Sequence, residues 1–109
     1  MSRATINLLC ADLPGAEAAE DRGGNTAWTV GGRPFAVVGA SGVAVAAPEA
    51  RALLAAGLAR PAPGLGGPWV ELPLDSPDSE LRRGVAASYE VARDALPPSV
   101  RVSLDRTSG

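Results

Sequence analysis

The chain has no histidine and no lysine, and one cysteine among its 109 residues. Without histidine, the side chain that most readily moves protons near neutral pH is missing. Acid–base work would fall to carboxylates or arginine, and no pair of these is visibly placed for it. A single cysteine, Cys10, excludes an internal disulfide and a cysteine-rich metal cluster. Long apolar runs are absent as well: no segment approaches the roughly 20 apolar residues that cross a bilayer. The N-terminus lacks a charged region leading into an apolar run and a cleavage site. These absences point to a soluble, cytoplasmic, non-enzymatic protein without cofactor or metal. Aromatics are scarce too, with only Trp28, Phe35, Trp69 and Tyr89 present.

What is present is alanine, glycine, proline and arginine. Hydrophobic residues make up 46%, but 21 of them are alanine. Burial stabilises by roughly 25 cal/mol per Å² of apolar surface, so an alanine-heavy core is thin for its length, and a homodimer is one way to add to it. All ten basic residues are arginine, as a GC-rich genome would produce. Net charge is −2. The first fifty residues hold three Arg against five acids and the remainder seven of each, so neither half is the basic block of a strong nucleic-acid binder.

The length suits one domain. Ile6, Leu9, Cys10 and Leu13 fall on one face of a helix over residues 3–13, stopped by Pro14-Gly15. Residues 16–25, AEAAEDRGGN, read as a polar connection. Residues 28–47, WTVGGRPFAVVGASGVAVAA, read as the heart of a meander. Its strands are Thr26 to Val30, Arg33 to Val38 and Val43 to Ala46. Gly31-Gly32 suits a two-residue hairpin, and Gly39 to Gly42 forms a second turn. Pro48 and Glu49 open a short helix to Ala56, ended by Gly57. Residues 60–68 form an irregular proline loop. A fourth strand, Trp69 to Leu74, turns Val70, Leu72 and Leu74 to the core. Ser76 then caps a long helix running to Leu96, whose buried stripe is Leu81, Val85, Tyr89, Ala92 and Leu96. Gly84 inside that helix costs about 1 kcal/mol relative to alanine, which close packing would explain. The tail from Val100 is an edge strand or a disordered end.

Most chemical motifs fail on inspection. Gly39-Ala40-Ser41-Gly42 is not G-x-S-x-G, and no histidine exists to activate the serine. Gly64-Leu65-Gly66-Gly67 precedes a strand and lacks the Lys-Ser/Thr of a phosphate loop. Asp75, Asp78 and Glu80 are explained by helix capping and dipole compensation. Glu17, Glu20 and Asp21 lack EF-hand spacing. Cys10 lies on an apolar stripe, as a buried structural thiol would. Two candidate sets remain. Arg33, Arg60, Arg82 and Arg83 are possible phosphate contacts, because a guanidinium donates two parallel hydrogen bonds. Trp69 and Tyr89 are either core anchors or one wall of a groove between sheet and helix.

The order helix, three-strand meander, short helix, proline loop, tryptophan strand, long helix resembles the MmcQ/YjbR family. The residues that carry the likeness are Leu13-Pro14-Gly15, VGGRPFAVV across the first hairpin, the alanine-rich helix ending at Gly57, Pro61 to Pro63 ahead of Trp69-Val70, and Ser88-Tyr89. The likeness spans residues 3–98. It implies an α+β fold, an antiparallel meander sheet packed against helices at both chain ends, sometimes described as a double-wing DNA-binding arrangement. On that basis residues 1–98 form the domain, 99–109 a tail, and DNA is the implied partner. Where family members commonly carry a lysine after the third strand and basic residues before the tryptophan, this chain has Ala46-Ala47 and Gly66-Gly67-Pro68.

Overall fold

The computed structural model describes residues 1–20, 23–62 and 69–101. Three helices and six strands follow in the order α1 (Arg3–Ala11), β1 (Ala16–Glu20), β2 (Thr26–Val30), β3 (Arg33–Val38), β4 (Gly42–Ala46), α2 (Ala50–Ala55), β5 (Arg60–Pro61), β6 (Trp69–Pro73) and α3 (Asp78–Asp94). All strands join one antiparallel sheet in the order β1-β2-β3-β4-β6-β5. The α+β meander with helices at both ends is as the sequence predicts.

Alternation decides which face of the sheet is buried. The register aligns Trp28 with Ala36, Ala36 with Val45, and Val45 with Val70, and one step along it aligns Val38 with Val43 and Val43 with Leu72. These residues share a face and are buried. Ile6 and Cys10 of α1 and Leu81, Val85, Tyr89 and Ala92 of α3 complete the core on that side. Trp28 donates its indole N–H to Asn7 Oδ1 at 2.9 Å, fixing α1 to the sheet. The opposite face carries Ala27, Thr29, Val37 and Glu71, and it is left without a helix from α1, α2 or α3.

Local chemistry explains the turns. Gly31 and Gly32 have φ of 57° and 83°, the pair of positive values that a type I′ hairpin needs. The register then shifts between Trp28 and Thr29, which pair with Ala36 and Pro34, so Phe35 is an extra, bulged residue. The bulge sends Phe35 into the core, where its ring meets Tyr89 edge-on with centroids 5.4 Å apart. Ser88, only 1% exposed, lies where β3 and β4 part beyond the Ala36–Val45 pair. Its hydroxyl accepts from Ala46 N–H at 2.9 Å and donates to Phe35 C=O at 2.5 Å.

Gly84 of α3 faces the Leu72 side chain of β6. A Cβ built there would lie 2.5 Å from Leu72 Cδ1, so close packing is the reason for glycine within this helix.

Several elements differ from the sequence-based expectation. Residues 16–20 form a strand, not a connection: Ala16 to Glu20 pair with β2 along their whole length. AEAAE has no apolar alternation, and pairing to a strong neighbour overrides its weak strand propensity. Arg60–Pro61 is a short strand on β6 and Ala62 after it is buried, while 63–68 of the expected proline loop lie outside the described residues. The first helix ends at Ala11 and the second spans only Ala50–Ala55, with Pro48 and Glu49 in the preceding turn. The last begins after Pro77, not Ser76, and no side chain caps it. A residue before proline is biased toward extended backbone, and Ser76 instead closes a turn onto Pro73 O. That helix ends at Asp94, two residues before buried Leu96. The tail begins as a helical turn over 98–101 with Val100 against the core, not as an edge strand or a disordered end; the rest of it, 102–109, lies outside the described residues.

Two substitutions test this packing. Ser88→Ala leaves a buried N–H and a buried C=O unpartnered, each worth about 1–3 kcal/mol; chemical denaturation should show a loss of about 2 kcal/mol or more. Gly84→Ala should destabilise despite alanine's better helix propensity, whereas a gain in stability would show that Leu72 yields freely.

Candidate binding surface

One flank of α3 borders two hollows. Gly84 and Ala87 line the first with Leu72 of β6, Leu53 of α2 and Ala47. Ser88, Val91, Ala92 and Ala95 line the second with Trp69, Ala46, Pro34 and Arg33. These residues of α3 and its C-cap Ala95 recur every three or four positions, so they make one stripe. Glycine, alanine and serine keep that stripe low, and the two hollows follow one another along it, meeting at the neighbouring residues Ala87 and Ser88; together they make up a trench. Trp69 is half-buried there and Val91 is 43% exposed. Glu49, Glu80 and Arg83 stand at the α2 end, with Arg83 3.9 Å from Glu80.

The hollows measure about 100 and 240 Å³. Sites for drug-sized molecules are usually ~300–1,000 Å³, so each suits a side chain better than a cofactor. A wider depression of about 630 Å³ lies between α1 and the sheet, bordered by Arg3, Asn7, Glu20 and Thr26. Two polar groups there are already used: Asn7 accepts from Trp28, and Ser2 caps α1 by accepting from Thr5 N–H.

The four candidate arginines are spread over the molecule. Arg33 and Arg83 border the trench, and about eight residues of helix, or ~12 Å, separate Arg83 from the Val91 end. Arg82 is exposed on α3 beside Arg83. Arg60 sits opposite Glu71 in the register, so both point away from the helices. Its Nε donates to Glu71 Oε1 at 2.6 Å and its Nη2 to Ser41 O at 3.1 Å. Ser41 also donates to Glu71.

The two groove candidates divide. Trp69 lines the trench. Tyr89 is 4% exposed and belongs to the core: its hydroxyl donates to Pro14 O at 2.6 Å and its ring meets Phe35. Burial pushes the phenol pKa up, opposed by Arg93 and reinforced by Glu90. Asp78 stands at the start of α3, 3.9 Å from the N-terminal amine, which donates to Leu74 O. Among the described residues no group of three acidic or cysteine side chains is arranged to hold a metal ion. The 64–67 glycine loop lies outside the described residues. No described helix is long and apolar enough to cross a membrane.

The trench residues Gly84, Ala87, Ser88 and Val91 were not singled out as a site by sequence. Their signal was present as small residues at helical spacing beside the Leu81–Val85–Tyr89 stripe. Nothing local shows that a sheet end lies opposite them.

A meander sheet with every helix on one face, closed by a long C-terminal helix, defines a small α+β domain. The YjbR family profile matches residues 11–91. That span covers most of the chain, and the protein belongs to the YjbR family. No curated protein matches the sequence.

Cys10 is fully buried, and burial pushes its thiol up to about 12. A free thiol ionises near 8.5. The folded state therefore keeps its proton where the unfolded state loses it, and this site lowers stability as pH rises above about 8.5. Disulfide-exchange reagents at pH 8 should label Cys10 only after denaturation; fast labelling of the native protein would contradict its burial.

Proposed function

We infer that this YjbR-family chain is a non-enzymatic binding domain that seats apolar side chains of a protein segment in the trench along α3. The observation that carries this reading is the apolar lining, half-buried Trp69 and exposed Val91 over a floor of small residues, in hollows sized for single side chains. Exposed apolar surface gathered in one concave place is the usual mark of a protein contact.

Duplex DNA is the second reading, favoured by Arg33 at one end of the trench, Arg83 at the other with Arg82 beside it, and the family's double-wing description. Binding through three arginines should weaken with salt at a log–log slope of roughly −3.

Both readings meet in one pair of experiments. Peptides selected from a random display library should shift the Trp69, Val91 and Ala95 amides, and Val91→Arg should abolish that binding while leaving the fold intact. Anisotropy titration against duplex DNA at rising salt tests the alternative. Steep salt-dependent DNA binding lost in an Arg33, Arg82 and Arg83 triple-alanine variant, with no peptide enriched, would overturn the peptide reading.

A further inference from the structure

The two edges of the sheet are not equivalent. At the β5 edge the strand is two residues long, its proline has no N–H to offer, and Arg60 is tied to Glu71 and Ser41. At the β1 edge five residues, all with an N–H, pair with β2 on one side. Among the described residues no strand pairs on the other side. In an antiparallel ladder alternate residues aim their N–H and C=O groups outward, so β1 offers a template for a further strand. Glu17 to Glu20 are exposed, and alanines at 16, 18 and 19 leave the backbone open to approach.

The charges decide what pairs there. Glu17 aligns with Thr29 and Glu20 with Thr26, so the two glutamates lie on opposite faces of the sheet. No ion pair joins either to a basic group among the described residues. Arg3 borders the same depression as Glu20. A second copy of β1 is a poor occupant. Antiparallel self-pairing about Glu17 or Glu20 sets that glutamate opposite itself, and pairing about Ala18 sets Glu17 diagonally across from its copy. Like charges so placed destabilise a sheet.

We propose that the β1 edge accepts, by strand addition, an extended segment of another protein carrying two basic side chains three residues apart, one for Glu17 and one for Glu20. Three residues is an odd step along a strand, so the two cations also fall on opposite faces and each meets its own glutamate. Backbone hydrogen bonds supply the contact and the charge pattern selects the partner. The trench takes its sheet residues from β3, β4 and β6, and β2 lies between them and the β1 edge, so this surface stands or falls independently of the trench.

The probe is an end-capped peptide of threonine and valine with lysines three residues apart, compared with the same peptide bearing glutamates there. The lysine peptide should shift the amides of residues 16–20 and 26–30 in an NMR titration. Two cross-strand charge pairs should make it bind about tenfold more tightly than the glutamate peptide. A Glu17→Lys, Glu20→Lys double variant, altered only at exposed positions, should reverse that preference. Equal binding of both peptides, no binding of either, shifts confined to other elements, or sedimentation showing self-association that the double variant abolishes would each overturn the proposal.

Discussion

Beyond the Ala36–Val45 pair, β3 and β4 stop pairing directly, and a serine hydroxyl from α3 stands between them. Ser88 takes the hydrogen of Ala46 N–H and gives its own to Phe35 C=O. A hydroxyl can do both at once because it has one donor and two acceptor lone pairs. A buried amide and a buried carbonyl without partners would be costly in this interior. The long helix is therefore pinned into the sheet's hydrogen-bonding system as well as packed on its face. The Phe35 bulge makes room for this arrangement and turns the ring onto Tyr89, whose hydroxyl in turn holds Pro14 after α1. One short segment, Ser88-Tyr89, ties together the meander, the long helix and the end of the first helix.

The trench follows from the same constraint. Ser88 reaches the Ala46 amide and Gly84 lies against Leu72, so the α3 flank facing β4 and β6 must be small. Larger residues there would push the helix off the sheet. The resulting hollow is bounded by Val91 and Trp69 at one end and by α2 at the other. In an alanine-rich chain with few large apolar side chains, this close approach gives α3 contacts that larger side chains would make in a thicker core.

Legibility in the sequence tracks how much each element depends on its own residues. The strands β2, β3, β4 and β6 could be read because their alternation and glycine turns are local. The stripe Leu81, Val85, Tyr89, Ala92 and Leu96 could be read because helical period marks the buried side, and all five are buried. AEAAE could not be read as a strand, since only its pairing to β2 makes it one. Arg60–Pro61 likewise has strand geometry only through Glu71 and Val70. Trp69 was identified as a wall candidate, but its opposite wall, Val91 and Ala95, depends on where α3 crosses the sheet. The four arginines illustrate the same limit: spacing cannot show that Arg60 faces the side of the sheet opposite the helices while Arg33 and Arg83 border the trench.

The central claim is that Ser88 takes the place of a ladder hydrogen bond between β3 and β4. Amide hydrogen exchange at Ala46 tests it most directly. In the native protein Ala46 should exchange as slowly as the slowest amides of β4, and in Ser88→Ala it should become the fastest amide of that strand while Val43 stays protected. Exchange of native Ala46 at the rate of the exposed turn residue Ala40 would contradict the account.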